Sequence, residues 1–175
     1  KSSGYNTSYD LVSSYLDMIK DTCFFHEVRF FGTEKQQNVN LRKLYAIDPA
    51  MAVLYREFDD SIGIRLEHAV LMDLVRSGKN VFYFRDNSGR EADFIVADDE
   101  NNPKAIIQVT DHLADNAARE IDGCRSAMKN LGLRESFIIT NDDFYSGKTD
   151  FEEGSVRVLP AWRFSLNIAD YLPES

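Results

Sequence analysis

From Ile64 onward the apolar residues alternate between helical and strand spacing, and the order of those changes constrains the fold more than any other feature of the chain. Ile64 to Ser77 is an amphipathic helix, with Leu66, Val70, Leu71 and Leu74 on one stripe and Gly78 closing it. Val81 to Arg85 and Ala92 to Ala97 have strand character, and Asp86-Asn87-Ser88-Gly89 between them is a hairpin turn. The acidic loop Asp98 to Pro103 leads to a third strand, Ala105 to Val109. A long helix follows, roughly Asp115 to Leu131, with Ala118, Ile121, Ala127 and Met128 facing inward. Ser136 to Thr140 and Val156 to Leu159 are strands separated by a polar loop that runs through Gly154. The resulting order, α-β-β-β-α-β-β, predicts an α/β fold: a mixed sheet flanked by helices.

The residues ahead of this unit follow another pattern. Lys1 to Asn6 lack an initiator Met and read as a cut end. Thr7 or Ser8 caps a helix running to about Thr22, with Leu11, Tyr15, Met18 and Ile19 at helical spacing. Phe24 to Phe31 and Val39 to Ile47 are β-like, and the Gly32–Gln37 segment between them is polar and turn-forming. Asp48-Pro49 reads as an N-cap with Pro at the first helical position, opening a short helix through Leu54. A helix followed by a hairpin is the second half of a winged helix. With the boundary at Asp59 to Ile62, the expectation is a partial winged-helix segment over 1–57 and the α/β domain over 58–175.

A chain of 175 residues with 43% hydrophobic content needs neither metal nor disulfide to fold, because it buries roughly 70% of its unfolded surface. Its longest apolar runs fall well short of the ~20 residues that span a bilayer, so no membrane partner is expected. Cys23 and Cys124 lack metal-ligand spacing and read as reduced core thiols of a cytoplasmic protein, with a pairing of the two as the alternative. Charge divides unevenly. Residues 1–57 hold seven Lys/Arg and seven Asp/Glu, whereas 58–175 hold thirteen against twenty-two and carry the whole net charge of −9. Nucleic-acid affinity comes largely from counterion release by a basic face, which this composition does not supply. Any DNA binding is therefore expected to be weak and to rest on a local patch or a partner segment.

The sharpest chemical constellation is Glu67 on the helix, Asp93 on the second strand of the hairpin, and Gln108-Val109-Thr110 at the end of the third strand. In a metal-dependent nuclease two carboxylates hold a divalent cation such as Mg²⁺ or Mn²⁺. The cation polarises the phosphate and acidifies the attacking water, and a nearby Lys steadies the developing charge. Residues i and i+2 of a strand share a face, so an acid at 108 and a Lys at 110 would serve one metal together. Gln108 offers only a neutral amide oxygen and Thr110 carries no charge. The candidate site is thus degenerate: Glu67, Asp93 and Gln108 as metal ligands, with Thr110 beside them and no catalytic residue assigned.

Residues 58–175 resemble the PD-(D/E)XK restriction-endonuclease-like fold, and more closely the C-terminal domain of unknown function that ends many prokaryotic AAA+-type ATPases. The resemblance is carried by Lys43-Leu44-Tyr45-Ala46-Ile47-Asp48, Gly63 with Leu66-Glu67, Tyr83-Phe84-Arg85, Arg90-Glu91-Ala92-Asp93-Phe94, Ile107-Gln108-Val109 and Leu159-Pro160-Ala161-Trp162. It implies a restriction-endonuclease-like core preceded by part of a winged helix, with an ATP-binding domain upstream of Lys1 as a partner. Against the family pattern, Gln108 replaces an acid and Thr110 a Lys. The implied function is a nuclease-like module that has lost catalysis and acts in nucleic-acid or protein binding and regulation.

Two alternatives follow from the same residues. One is an active Mg-dependent DNA nuclease in which Gln108 ligates and Lys104 or Arg90 replaces the missing Lys. The other is a protein-interaction domain, with a protein partner or self-association, unrelated to nucleic acid. Ser146-Gly147-Lys148-Thr149 imitates the end of a phosphate-binding loop, but Asp142 stands where that loop needs Gly. His26, His68 and His112 are scattered without metal spacing, Glu91 is a candidate second acid, and Asp98-Asp99-Glu100 reads as a solvated loop.

Overall fold

The computed structural model describes residues 8–22, 24–48, 50, 62–142 and 146–172. In chain order its elements are α1 (Tyr9–Asp21), β1 (Phe25–Phe30), α2 (Glu34–Val39), β2 (Lys43–Ala46), α3 (Ile62–Arg76), β3 (Asn80–Arg85), β4 (Glu91–Ala97) and β5 (Pro103–Thr110). They continue with α4 (Leu113–Leu131), β6 (Glu135–Thr140), β7 (Gly147–Asp150), β8 (Ser155–Pro160), α5 (Ala161–Leu166) and α6 (Ile168–Tyr171). The strands form one mixed eight-stranded sheet in the order β2-β1-β3-β4-β5-β6-β8-β7. The expected α/β architecture, a mixed sheet flanked by helices, is present.

Both faces of the central strands are covered, which is why β4, β5 and β6 read as nearly continuous apolar runs rather than alternating ones. On one face Val70, Leu71 and Leu74 of α3 pack with Phe94, Ile107, Ile139 and Phe164. On the other, Cys124, Ala127 and Met128 of α4 pack with Ala92, Ile95, Ile106 and Ile138. Phe94, Leu71 and Ile107 are fully buried, and each such side chain contributes roughly 1.5–3 kcal/mol. Burial pushes the Cys124 thiol up to about 12, so it stays protonated.

Several local expectations are corrected. The Gly32–Gln37 segment is no simple turn, because Glu34–Val39 is a helix. Thr33 and Gln36 make a reciprocal capping box there, the Gln36 N–H donating to the Thr33 hydroxyl and the Thr33 N–H to the Gln36 side chain. The β-like stretch 39–47 accordingly shrinks to Lys43–Ala46. In α1 the Ser8 hydroxyl accepts from the Leu11 N–H as an N-cap does, yet Leu11, Tyr15, Met18 and Ile19 remain exposed. Helix α4 begins at Leu113 rather than Asp115, and its Ala118 is exposed, while Ala117 and Cys124 pack against the core. The polar loop before Gly154 contains an additional edge strand, β7, fully exposed and antiparallel to β8. Gly147, Lys148 and Thr149, the phosphate-loop look-alike, belong to that strand.

The hairpin β1–β2 joins the sheet through a short parallel pairing of Arg29 and Phe30 with Phe82 and Tyr83 of β3. From there β2 crosses toward α3 and β4: the Tyr45 ring packs against Phe94 and His68, and His68 Nε2 meets the Ala46 carbonyl. The hairpin thus lies over the sheet face that α3 covers. The helix expected over Asp48 to Leu54 and the Asp59 to Ile62 boundary fall largely outside the described residues. Among the described residues no helix is long and apolar enough to cross a membrane.

Candidate functional site

The site begins with an irregularity of register. Between their paired neighbours, Asp93 and Phe94 of β4 together stand opposite the single residue Tyr83 of β3, which makes a β-bulge. A bulge re-aims one side chain of the strand. Here it sends Phe94 into the core beneath α3 and leaves Asp93 buried at the sheet surface. The Asp93 backbone N–H donates to Gln108 Oε1 at 3.1 Å, and Asp93 Oδ2 accepts from the Val109 N–H at 3.0 Å. Asp93 and Gln108 lie just past the last paired residues of β4 and β5, Phe94 and Ile107, so these side-chain contacts brace the strands where the backbone pairing ends.

Gln108 turns its other end toward α4. Its amide Nε2 donates to Glu120 Oε2 at 2.6 Å, and Glu120 Oε1 accepts from the Arg119 guanidinium at 2.6 Å. Glu120 is 3% exposed, and it reaches the strand because α4 runs very close to β4. Gly123 allows that approach: a Cβ there would lie 2.2 Å from the Glu91 carbonyl oxygen.

Glu67 enters from α3 and meets two groups of the hairpin. The Tyr45 hydroxyl donates to Glu67 Oε1 at 2.5 Å, and Lys43 Nζ lies 3.5 Å from the same oxygen. The ammonium is also 3.6 Å from Asp93 Oδ1 and stands over the Tyr83 ring, 5.4 Å from its centroid. Tyr83 is itself fixed by donating its hydroxyl proton to the Leu41 carbonyl at 2.6 Å.

The electrostatics follow first from burial and then from one ammonium facing two carboxylates. Burial and the charge of Glu67 push the Asp93 carboxyl up to about 7, with Lys43 opposing them. Burial works to lower the Lys43 pKa, but Asp93, Glu67 and Glu91 outweigh it and hold the ammonium above its ordinary value. Burial, then the Glu67 charge, raises the Tyr45 hydroxyl so far that it remains a donor.

Glu67, Asp93 and Gln108 line one cleft of about 660 Å³ together with Glu91, Glu120 and Arg119. Arg85 and Arg90 stand at its rim, paired at 2.7 Å with Glu91 and with Asp86. Thr110 is absent from the lining: it is buried at the end of β5, beside Thr140 of β6. Lys104, one proposed substitute base, pairs instead with Asp98 at 3.0 Å, and Arg90 reaches the cleft only as a partner of Asp86. Lys43, Tyr45, Glu120 and Arg119 complete the site without having been assigned a role from the sequence. Lys43 and Tyr45 carry the i, i+2 spacing of one strand face, but which face meets Glu67 depends on how the hairpin crosses the sheet.

The Mg²⁺ or Mn²⁺ implied by the resemblance does not fit these residues as they are arranged. Lys43 already stands between the two carboxylates, and both ends of the Gln108 amide are engaged. Among the described residues, no three His, Cys, Asp or Glu side chains are grouped so that they could hold a metal ion. No protein-family model matches the sequence, and no curated protein matches it.

Proposed function

We propose that this chain is a catalytically degenerate nuclease-like module, the cytoplasmic C-terminal part of a prokaryotic AAA+-type ATPase, and that it acts by binding rather than by cutting DNA. The order α3-β3-β4-β5-α4-β6-β7-β8, with β7 an added edge strand, supports a restriction-endonuclease-like core, and α1 followed by the antiparallel β1–β2 pair, with α2 in its connection, supports a winged-helix remnant ahead of it. The observation that carries the functional reading is the state of Gln108. Where an acid would be needed to hold a metal, a neutral amide donates to Glu120 and accepts from the Asp93 N–H, so both its ends bind protein. At position 110 a buried Thr cannot place a positive charge beside a phosphate. Losing one preorganised charge contact of this kind costs about 10²–10³ in rate, and two such losses compound.

Binding falls to the rim. Arg85, Arg90 and Arg119 have side chains that are half or more exposed around a cleft with an acidic floor. Such a rim supports weak, salt-sensitive contact with DNA phosphates, or pairing with an acidic surface of another protein, without drawing a phosphate into the cleft. One observation favours a second reading: Lys43 reaches the site and supplies from the hairpin the lysine that β5 lacks, as an active nuclease would require.

Plasmid and single-strand cleavage with Mg²⁺ or Mn²⁺, at micromolar protein, separates the two. The degenerate module leaves both substrates intact. Metal-dependent cleavage that disappears in Asp93→Ala overturns that reading and establishes the second.

A further inference from the structure

We infer that Lys43 is the resident cation of this centre, locking the β1–β2 hairpin onto the carboxylates of α3 and β4, and that Glu67 and Asp93 become a divalent-cation site only when its ammonium is withdrawn. The inference rests on geometry and charge, and it stands whether or not the fold descends from nucleases.

Three elements distant in sequence meet at this point. Lys43 comes from β2, Glu67 from α3 and Asp93 from β4, and the ammonium is within 3.6 Å of an oxygen of each acid. An ion placed to be shared by these two carboxylates would have to occupy the same space as Nζ. The lysine is seated rather than passing by: its charge lies over the Tyr83 ring, and its strand neighbour Tyr45 donates to the same Glu67 oxygen. Of the other acids that line the cleft, Glu120 is held by Gln108 and Arg119 and Glu91 by Arg85, so each has a cation other than Lys43 within reach.

Hard divalent cations are held by oxygen ligands, with affinity set by ligand charge and site rigidity. With Lys43 present, its ammonium offsets the negative charge of the carboxylate pair, and a second cation is repelled at contact distance. Without it, the same two carboxylates remain fixed by Tyr45 and by the Val109 N–H, which preserves the geometry while raising the net negative charge.

Manganese titration followed by the loss of the free Mn²⁺ resonance tests this on the whole 175-residue chain. Lys43→Met keeps most of the apolar stem and removes the charge. It is expected to bind one Mn²⁺ at least about tenfold more tightly than the unchanged protein. Lys43→Arg behaves like the unchanged protein, and adding Asp93→Asn to Lys43→Met abolishes the new site. Equal Mn²⁺ uptake by the unchanged protein and Lys43→Met, no uptake by either, or uptake that survives Asp93→Asn overturns the inference. If Lys43→Met does not fold, thermal unfolding of the unchanged protein decides, because a ligand bound to the native state raises its midpoint by mass action. The same midpoint in Mn²⁺ and in chelator supports the inference. A rise in Mn²⁺ that Asp93→Asn removes overturns it. The Mn²⁺ titration uses no DNA, so the inference can fail on metal uptake while the unchanged protein still leaves DNA intact, and the two failures are distinguishable.

Discussion

Asp93 owes its position to one extra residue in β4, and its chemistry to burial and then to the charge of Glu67 beside it. Its carboxyl lies at about 7 in the folded protein against an ordinary 3.8, so the native state holds a proton that the unfolded chain has lost between these values. The folded pKa is raised, so this group's contribution to stability is greatest below about pH 4, falls as pH rises toward 7, and is level above that. Urea unfolding at several pH values should therefore show a downward slope across pH 4–7 that Asp93→Asn flattens. An unchanged slope in the variant would contradict the assignment. At this scale much of the site is legible in the sequence. Glu67, Asp93 and Gln108 are placed together by helix-stripe and strand-face arithmetic, and the structure lines one cleft with all three. Lys43 is not, because its partners are twenty-four and fifty residues away and the hairpin's crossing is set by packing of Tyr45 against Phe94. Thr110 fails for a related reason: it shares a strand face with Gln108, but the Gln108 amide is directed to α4, and Thr110 lies beyond the cleft.

Among the elements, α4 carries the largest consequence for the site, since its closeness to β4 brings Glu120 to Gln108. Gly123→Ala would place a methyl against the Glu91 carbonyl and force the helix outward. Overpacking of this kind costs about 1–3 kcal/mol, and urea unfolding should report a loss in that range. A neutral substitution would mean that the helix has room to spare. The long periodic elements α3 and α4 and the strands β3 to β6 are readable because burial on one or two faces imposes their pattern. The short ones are harder to read. Helix α2 has no buried residue and is started by the Thr33–Gln36 capping box, and β7 is wholly exposed and exists by pairing with β8. The exposed stripe of α1 has helical spacing without burial, which periodicity alone does not distinguish from a core face.

For the molecule as a whole, the hairpin is tied to the core at both ends. β1 pairs with β3, the Phe31 N–H donates to the Tyr83 carbonyl at 2.7 Å, and Lys43, Tyr45 and His68 join β2 to α3 and β4. Hairpin amides should then open with the core, because few native contacts would survive its separate release. Native-state hydrogen exchange should give β1 and β2 opening free energies close to those of β4 and β5. Much lower values for the hairpin alone would show that it detaches by itself. The same ties make the occupancy of the carboxylate pair a property of the entire fold, since moving Lys43 means moving the hairpin. A crystal of the chain grown with Mn²⁺ and measured at the manganese absorption edge examines that occupancy directly. No anomalous peak is expected between Glu67 and Asp93, with Lys43 Nζ still about 3.5 Å from both carboxylates. A manganese peak between them, with Lys43 displaced, would contradict that expectation.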